Sequence, residues 1–220
     1  MTGDGNEGRG DRDDYDDSPD APAADASAAD VTSVDDAATL AEPSDDQWQV
    51  IDTEVVWENP YFEAGYDTVE QPDGSTGRWY WIDPVDAVAV VAETDAGEIV
   101  VLEQYDPRLR QSLLTCPGGG VDEGESFVEA GVRELREETG FRAGEAELLD
   151  VYRPAAWLRM DQAVVYATDL EAGPADREPG EDLDVYTAPP DAAIDAVTGR
   201  SPAFGPGLTP LLLARRAGRI

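Results

Sequence analysis

The stretch GGVDEGESFVEAGVRELREETGF, residues 119–141, joins a glycine run, a helix start and a dense group of glutamates. Ser126 followed by Glu129 is a capping box: the serine accepts from a first-turn amide while the glutamate reaches back to the serine N–H. Val128, Val132 and Leu135 recur at the spacing that gathers side chains on one buried stripe. Gly140 is placed to close the helix in a left-handed cap. A helix over about residues 127–139 is predicted. Gly131, inside it, costs about 1 kcal/mol relative to alanine, which close packing of the helix would explain.

On that helix Glu134, Glu137 and Glu138 are three and four residues apart and share one flank. Like charges so spaced repel by roughly 0.2–0.5 kcal/mol per pair, so the cluster suits a bound cation. Oxygen donors without imidazole or thiolate favour magnesium or manganese over zinc. Glycines 118–120 would let backbone groups of the preceding loop approach the cation and substrate phosphates. The alternative is a solvated helix face, with Glu137 pairing Arg133 at i,i+4. Glu125 and Arg133 can hold one another bidentately and fix the loop against the helix.

These residues resemble the signature of the Nudix hydrolases, G-x5-E-x7-R-E-U-x-E-E-x-G-U with U apolar. Gly119, Glu125, Arg133, Glu134, Leu135, Glu137, Glu138, Gly140 and Phe141 fall in register. The resemblance implies an α/β fold, the Nudix α/β/α sandwich with a mixed sheet, and magnesium-dependent hydrolysis of a diphosphate linked to a nucleoside. It implies Glu134 and Glu138 as metal ligands, joined by Gly118 and Glu137. Glu137, Glu138 and Arg133 would act in catalysis, with Gly119 and Glu125 as supports.

Composition narrows the chemistry independently. The chain has no histidine, and all fifteen of its positive charges are arginine. That excludes a histidine triad, a lysine Schiff base, a P-loop lysine and a histidine zinc site. Cys116 is the only cysteine, so no internal disulfide forms, and a reducing, cytoplasmic setting is expected. A net charge of -34 leaves no basic stripe for nucleic acid. The same field would repel an anionic nucleotide, but at molar salt the Debye length falls to about 3 Å. Abundant acids without lysine resemble a halophilic proteome, and self-repulsion predicts that the fold needs salt.

Residues 1–46 carry 15 acids against two arginines and almost no large apolar residue, which predicts a disordered acidic tail. The tail lacks the basic start and apolar core of a signal peptide. No run of about 18 apolar residues predicts a membrane span. Residues 47–84 read as an N-terminal β extension: segments 48–56, 61–69 and 78–82 form an antiparallel meander, with Pro72-Asp73-Gly74 as a turn. Residues 85–220 read as the catalytic domain. Segments 85–92 and 99–105 suggest a hairpin around Asp95-Ala96-Gly97. Strands are expected at 146–152, 162–168 and 183–186, and helices at 190–198 and 208–217.

Outside the box the order of features resembles the ADP-ribose pyrophosphatase branch, loosely, over most of residues 48–215. Asn59-Pro60-Tyr61-Phe62, Pro72-Asp73-Gly74-Ser75, Glu103-Gln104-Tyr105 and Cys116-Pro117-Gly118-Gly119 carry it. It implies a small-molecule nucleotide substrate, ADP-ribose cleaved to AMP and ribose 5-phosphate, and a homodimer paired through the N-terminal sheet. Asp106 stands where an arginine is common, which removes a phosphate contact. Thr115 replaces a frequent glutamate, and Trp157 holds the place of a loop proline. These departures leave open another nucleotide sugar or a dinucleotide; a non-catalytic nucleotide sensor is the third reading, though no box acid is lost. Arg153 and Arg159 read as phosphate contacts or as surface ion pairs, and Trp157 as a base-stacking or a packing residue. In the loop with Glu178 and Asp182, Glu181 is the candidate for the family's second catalytic carboxylate.

Overall fold

The computed structural model describes residues 48–177 and 182–220; the predicted acidic tail, 1–46, lies outside them. The aromatic and β-branched segments after Trp48 form an antiparallel meander of β1 (Gln49–Asn59), β2 (Phe62–Glu70) and β3 (Thr76–Pro84). Asn59 closes the first turn, its side-chain oxygen accepting from the N–H groups of Tyr61 (2.8 Å) and Phe62 (3.3 Å).

β4 (Ala87–Ala92) and β5 (Ile99–Asp106) follow. The chain turns between them, with Gly97 donating to the Thr94 carbonyl at 2.8 Å and Glu93 bridging Ile99. The expected hairpin does not continue past that bridge. β4 enters a four-stranded sheet and β5 a three-stranded one. The reason lies in their composition: AVAVVA and IVVL are apolar at successive positions and buried throughout most of their length. Strands buried on both faces need cover from two sides, which a lone hairpin lacks.

The remaining elements are β6 (Gln111–Thr115), β7 (Gly118–Gly120), α1 (Phe127–Thr139), β8 (Phe141–Tyr152), β9 (Gln162–Ala172), β10 (Leu183–Ala188), α2 (Pro190–Thr198) and α3 (Gly205–Arg216). The four-stranded sheet runs β7-β4-β9-β8 and is mixed, because β4 and β9 are parallel while β7 and β8 pair antiparallel. The other runs β10-β5-β6 and is antiparallel.

Alternation along β4 divides the core into two. Val88, Val90 and Ala92 cluster with Ala130 and Leu135 of α1; Ala89 and Val91 cluster with Ala193 and Val197 of α2 and with Leu211 and Ala214 of α3. One helix covers one face and two cover the other, giving the expected α/β/α sandwich. Leu135 is fully buried, which contributes about 1.5–3 kcal/mol. A Cβ on Gly131 would lie 3.2 Å from both Val165 and Val90. The mid-helix glycine thus lets α1 settle tightly on the sheet. Among the described residues no helix is long and apolar enough to cross a membrane.

Candidate active site

α1 carries the site, and its ends are fixed by the residues that predict them. Ser126 and Glu129 make both bonds of the capping box, and Gly140, at φ 81, donates its N–H to the Arg136 carbonyl. This sets the rotation of the helix, and with it the direction of the glutamates.

β7 lies directly against that flank. The Gly118 N–H donates to Glu138 Oε2 at 2.8 Å, and Glu138 is only 6% exposed. A buried carboxylate without such bonding would be costly. A Cβ at Gly118 would meet the Val88 carbonyl oxygen at 2.1 Å, so only glycine allows this approach to β4. At Gly119 a Cβ would come within 2.4 Å of Glu134 Oε1. The glycine strand is therefore a cradle on which the carboxylates of Glu134 and Glu138 both rest.

Arg133 binds the cradle to the loop before the helix. Its Nε and Nη2 reach Glu125 at 3.0 and 2.9 Å, and Nη2 also donates to the Gly120 carbonyl at 2.9 Å. Its Nη1 reaches Glu134 at 2.8 Å and Glu137 at 3.3 Å, while Glu137 also receives Arg136 at 2.8 Å. Hydrogen bonds from Arg133 hold the Glu125 carboxyl below its ordinary range, and the bond to Glu125 raises the Arg133 guanidinium. Both shifts favour the charged forms of the Arg133–Glu125 pair.

Among the described residues no three acidic or thiol side chains converge as a ready-made metal cage. The donor chemistry nonetheless fits a hard divalent cation: Glu134 and Glu138 abut one glycine backbone, with Glu137 tied to Glu134 through Arg133. Cys116 is buried, and burial pushes its thiol up to about 12, so it is no thiolate ligand or nucleophile.

The structure sets the other candidates apart from this cradle. Arg153 pairs with Asp161 at 3.1 Å, and Arg159 pairs with the buried Asp67 of β2 and stacks 4.1 Å over Trp81. Trp157 is exposed, and its carbonyl accepts from Ile82 of β3 at 2.9 Å. Both arginines line a pocket of about 490 Å³ with Asp86 and Asp161, whereas Glu138 lines a different cleft. Glu178 and Glu181 lie outside the described residues.

That cleft, about 370 Å³, runs between β4, β7 and the end of β5. Besides Gly118, Gly119 and Glu138 it is lined by Gln104, which sequence reasoning met only as part of a family motif, and by Arg108 and Gln162, which it passed over. The available signal was Asp106-Pro107-Arg108, an acid able to cap a turn followed two residues later by an arginine.

The NUDIX domain family matches residues 83–205. The chain belongs to the Nudix family. Among relatives, it is 35% identical over 101 residues to the methanol dehydrogenase activator of Bacillus methanolicus, covering 46% of this chain and 55% of that protein. It is 30% identical over 95 residues to an ADP-ribose pyrophosphatase of Bacillus subtilis, covering 43% and 51%. An ADP-ribose pyrophosphatase of Mycobacterium tuberculosis is 31% identical over 103 residues, covering 46% and 50%. The chain spans about half the length of the curated relatives it matches. In fold it resembles the crystal structure of an ADP compounds hydrolase, with a TM-score of 0.71 at 23% identity over 81% of this chain and 100% of that one. The Nudix match contains every element of the cradle, from β4 to α1.

Proposed function

We propose that this Nudix chain hydrolyses the diphosphate of a nucleoside diphosphate derivative, with ADP-ribose, giving AMP and ribose 5-phosphate, as the first substrate to test. The observation that carries this reading is the pair of carboxylates seated on the Gly118–Gly120 strand, Glu138 held by the Gly118 N–H and Glu134 by Arg133. The two relatives named as ADP-ribose pyrophosphatases support the choice of substrate.

Glu134 and Glu138, with Glu137 and the Gly118 carbonyl, would hold magnesium, or manganese in its place. When bound, that ion neutralises diphosphate charge and acidifies a water. The chain's own part is positional. Arg133 holds Glu134 and Glu137 and anchors Glu125, so the acids and the glycine strand keep one geometry through turnover. In the reaction the water oxygen bonds to one phosphorus and the bridging P–O bond breaks. Its electron pair leaves on the second phosphate, and the water proton passes to a carboxylate, for which Glu138 and Glu181 are the proposed acceptors.

We further propose a homodimer paired through β1. Val50, Ile51, Val55, Val56 and Trp57 of this edge strand are all exposed. An eleven-residue edge strand that leaves five large apolar side chains exposed is unusual in a monomer. The buried single thiol suits a reducing cytoplasm. Incubation with magnesium and a panel of nucleoside diphosphate derivatives at about 3 M KCl, where charges are screened, tests the activity by chromatography of products. Release of AMP from ADP-ribose supports it; no cleavage of any member refutes it. Sedimentation at the same salt tests the dimer, and a monomer at micromolar concentration would overturn it.

A further inference from the structure

In a chain with 49 acids and 15 arginines, a guanidinium facing the catalytic cleft is an exception that calls for a cause. Arg108 lines the same cleft as Glu138, Gly118 and Gly119. Its side chain is 84% exposed, while its partner Asp106 is 4% exposed. Asp106 Oδ2 receives Arg108 Nη2 at 2.6 Å, and Arg108 Nε lies 3.2 Å from both carboxylate oxygens. The same carboxylate accepts the backbone N–H groups of Arg108 (2.7 Å) and Leu109 (3.1 Å), fixing the turn as well as the side chain. These bonds occupy only the Nε–Nη2 edge. Among the described residues Nη1 makes no hydrogen bond, so the outer Nη1–Nη2 edge keeps the planar pair of donors that matches a phosphate.

A second observation points the same way. Gln162, at the start of β9, is 8% exposed and lines this cleft. Its amide carries both a donor and an acceptor, so it can meet either a phosphate oxygen or a hydroxyl of a ligand in the cleft. The cleft thus brings together a pre-aimed guanidinium, an amide and the Glu138 carboxylate.

We propose that Arg108, held by Asp106, binds a phosphate of the substrate, with the Gln162 amide as a second hydrogen-bonding group in the same cleft. This rests on the diphosphatase reading above. Asp106 thereby acts as a positioning residue, since it touches the arginine and not the ligand. Its burial leaves the positive end of the ion pair outward, which gives a strongly acidic protein a local anion seat.

The test compares Arg108→Ala, Arg108→Lys, Asp106→Asn and Gln162→Leu with the parent chain at about 3 M KCl, where long-range charge is screened and contact remains. Folding is checked by circular dichroism; the two backbone bonds to Asp106 survive in Arg108→Ala. With ADP-ribose and magnesium, Arg108→Ala should raise KM about 10- to 100-fold, as expected for charge-assisted hydrogen bonds. Arg108→Lys should recover part of the loss, and Asp106→Asn should raise KM while changing kcat less. Calorimetric binding of pyrophosphate with magnesium should weaken in the same order, a readout independent of turnover. Folded Arg108→Ala with unchanged KM and unchanged pyrophosphate affinity overturns the proposal while leaving the diphosphatase reading intact. A parent chain that binds pyrophosphate but cleaves no nucleotide refutes that reading, and Arg108 then stands or falls on pyrophosphate affinity alone.

Discussion

Replacing Gly119 by alanine would separate the geometry of the site from the stability of the fold. The added Cβ would lie 2.4 Å from Glu134 Oε1, 2.6 Å from Cδ and 2.9 Å from Oε2. No backbone atom is among these contacts, so the clash is relieved by rotating the end of the glutamate side chain. That rotation removes the 2.8 Å bond from Arg133, while Arg133 keeps Glu125 and the Gly120 carbonyl. One charge-assisted hydrogen bond is worth about 1.5–3 kcal/mol, which lowers the melting temperature of a domain this size by about 3–12 °C. Catalysis should suffer more, because displacing a positioned group by about 1 Å can cost about 100-fold. Gly118→Ala is the contrasting variant: its Cβ would stand 2.1 Å from the Val88 carbonyl oxygen and 2.9 Å from Ala89 Cα, so strands β4 and β7 themselves must part. The assay is AMP release from ADP-ribose in high KCl, paired with thermal unfolding in the same buffer. If folded Gly119→Ala kept kcat/KM within about threefold of the parent, the placement of Glu134 on the glycine strand would be irrelevant to activity and the reasoning refuted.

Three further outcomes follow. Asp106 has its carboxyl lowered from 3.8 to about 2 by Arg108 and the turn amides, so its contribution to stability is present above pH 4 and is lost as pH falls toward 2; Asp106→Asn should flatten that part of a plot of unfolding midpoint against pH, and an unchanged slope would contradict it. With a net charge of -34, the unfolding midpoint should rise from about 0.1 M to about 3 M KCl as repulsion is screened, and equal midpoints would remove the salt dependence. Glu181→Gln should lower kcat by about 100-fold or more if this acid accepts the water proton; activity within about threefold of the parent would assign that role elsewhere.

Helix α1 was legible because its signals are local: Ser126, Glu129 and Gly140 each act within one turn of the boundary they mark. Gly131 was legible for the same reason, since a glycine inside a helix calls for a close neighbour, here Val165 and Val90. The pairing of β4 and β5 was not, because a run of valine and alanine reports burial without saying which strand lies alongside. The partner of Arg159 was equally hidden: Asp67 is 92 residues away, and only the folded chain shows it taking the guanidinium. Arg108 escaped notice because Asp106 reads in sequence as a missing arginine, whereas in the fold the buried aspartate aims an arginine two residues on.

The central claim, that the carboxylates on the glycine strand carry diphosphate hydrolysis, is tested most directly by Glu138→Gln. Glutamine can still accept the Gly118 N–H that Glu138 receives at 2.8 Å, so the fold should persist. With ADP-ribose, magnesium and about 3 M KCl, the parent chain should release AMP and ribose 5-phosphate in equal amounts. Glu138→Gln should release them at least about 100-fold more slowly, with an unfolding midpoint close to that of the parent. Undiminished AMP release by the folded variant would contradict the claim.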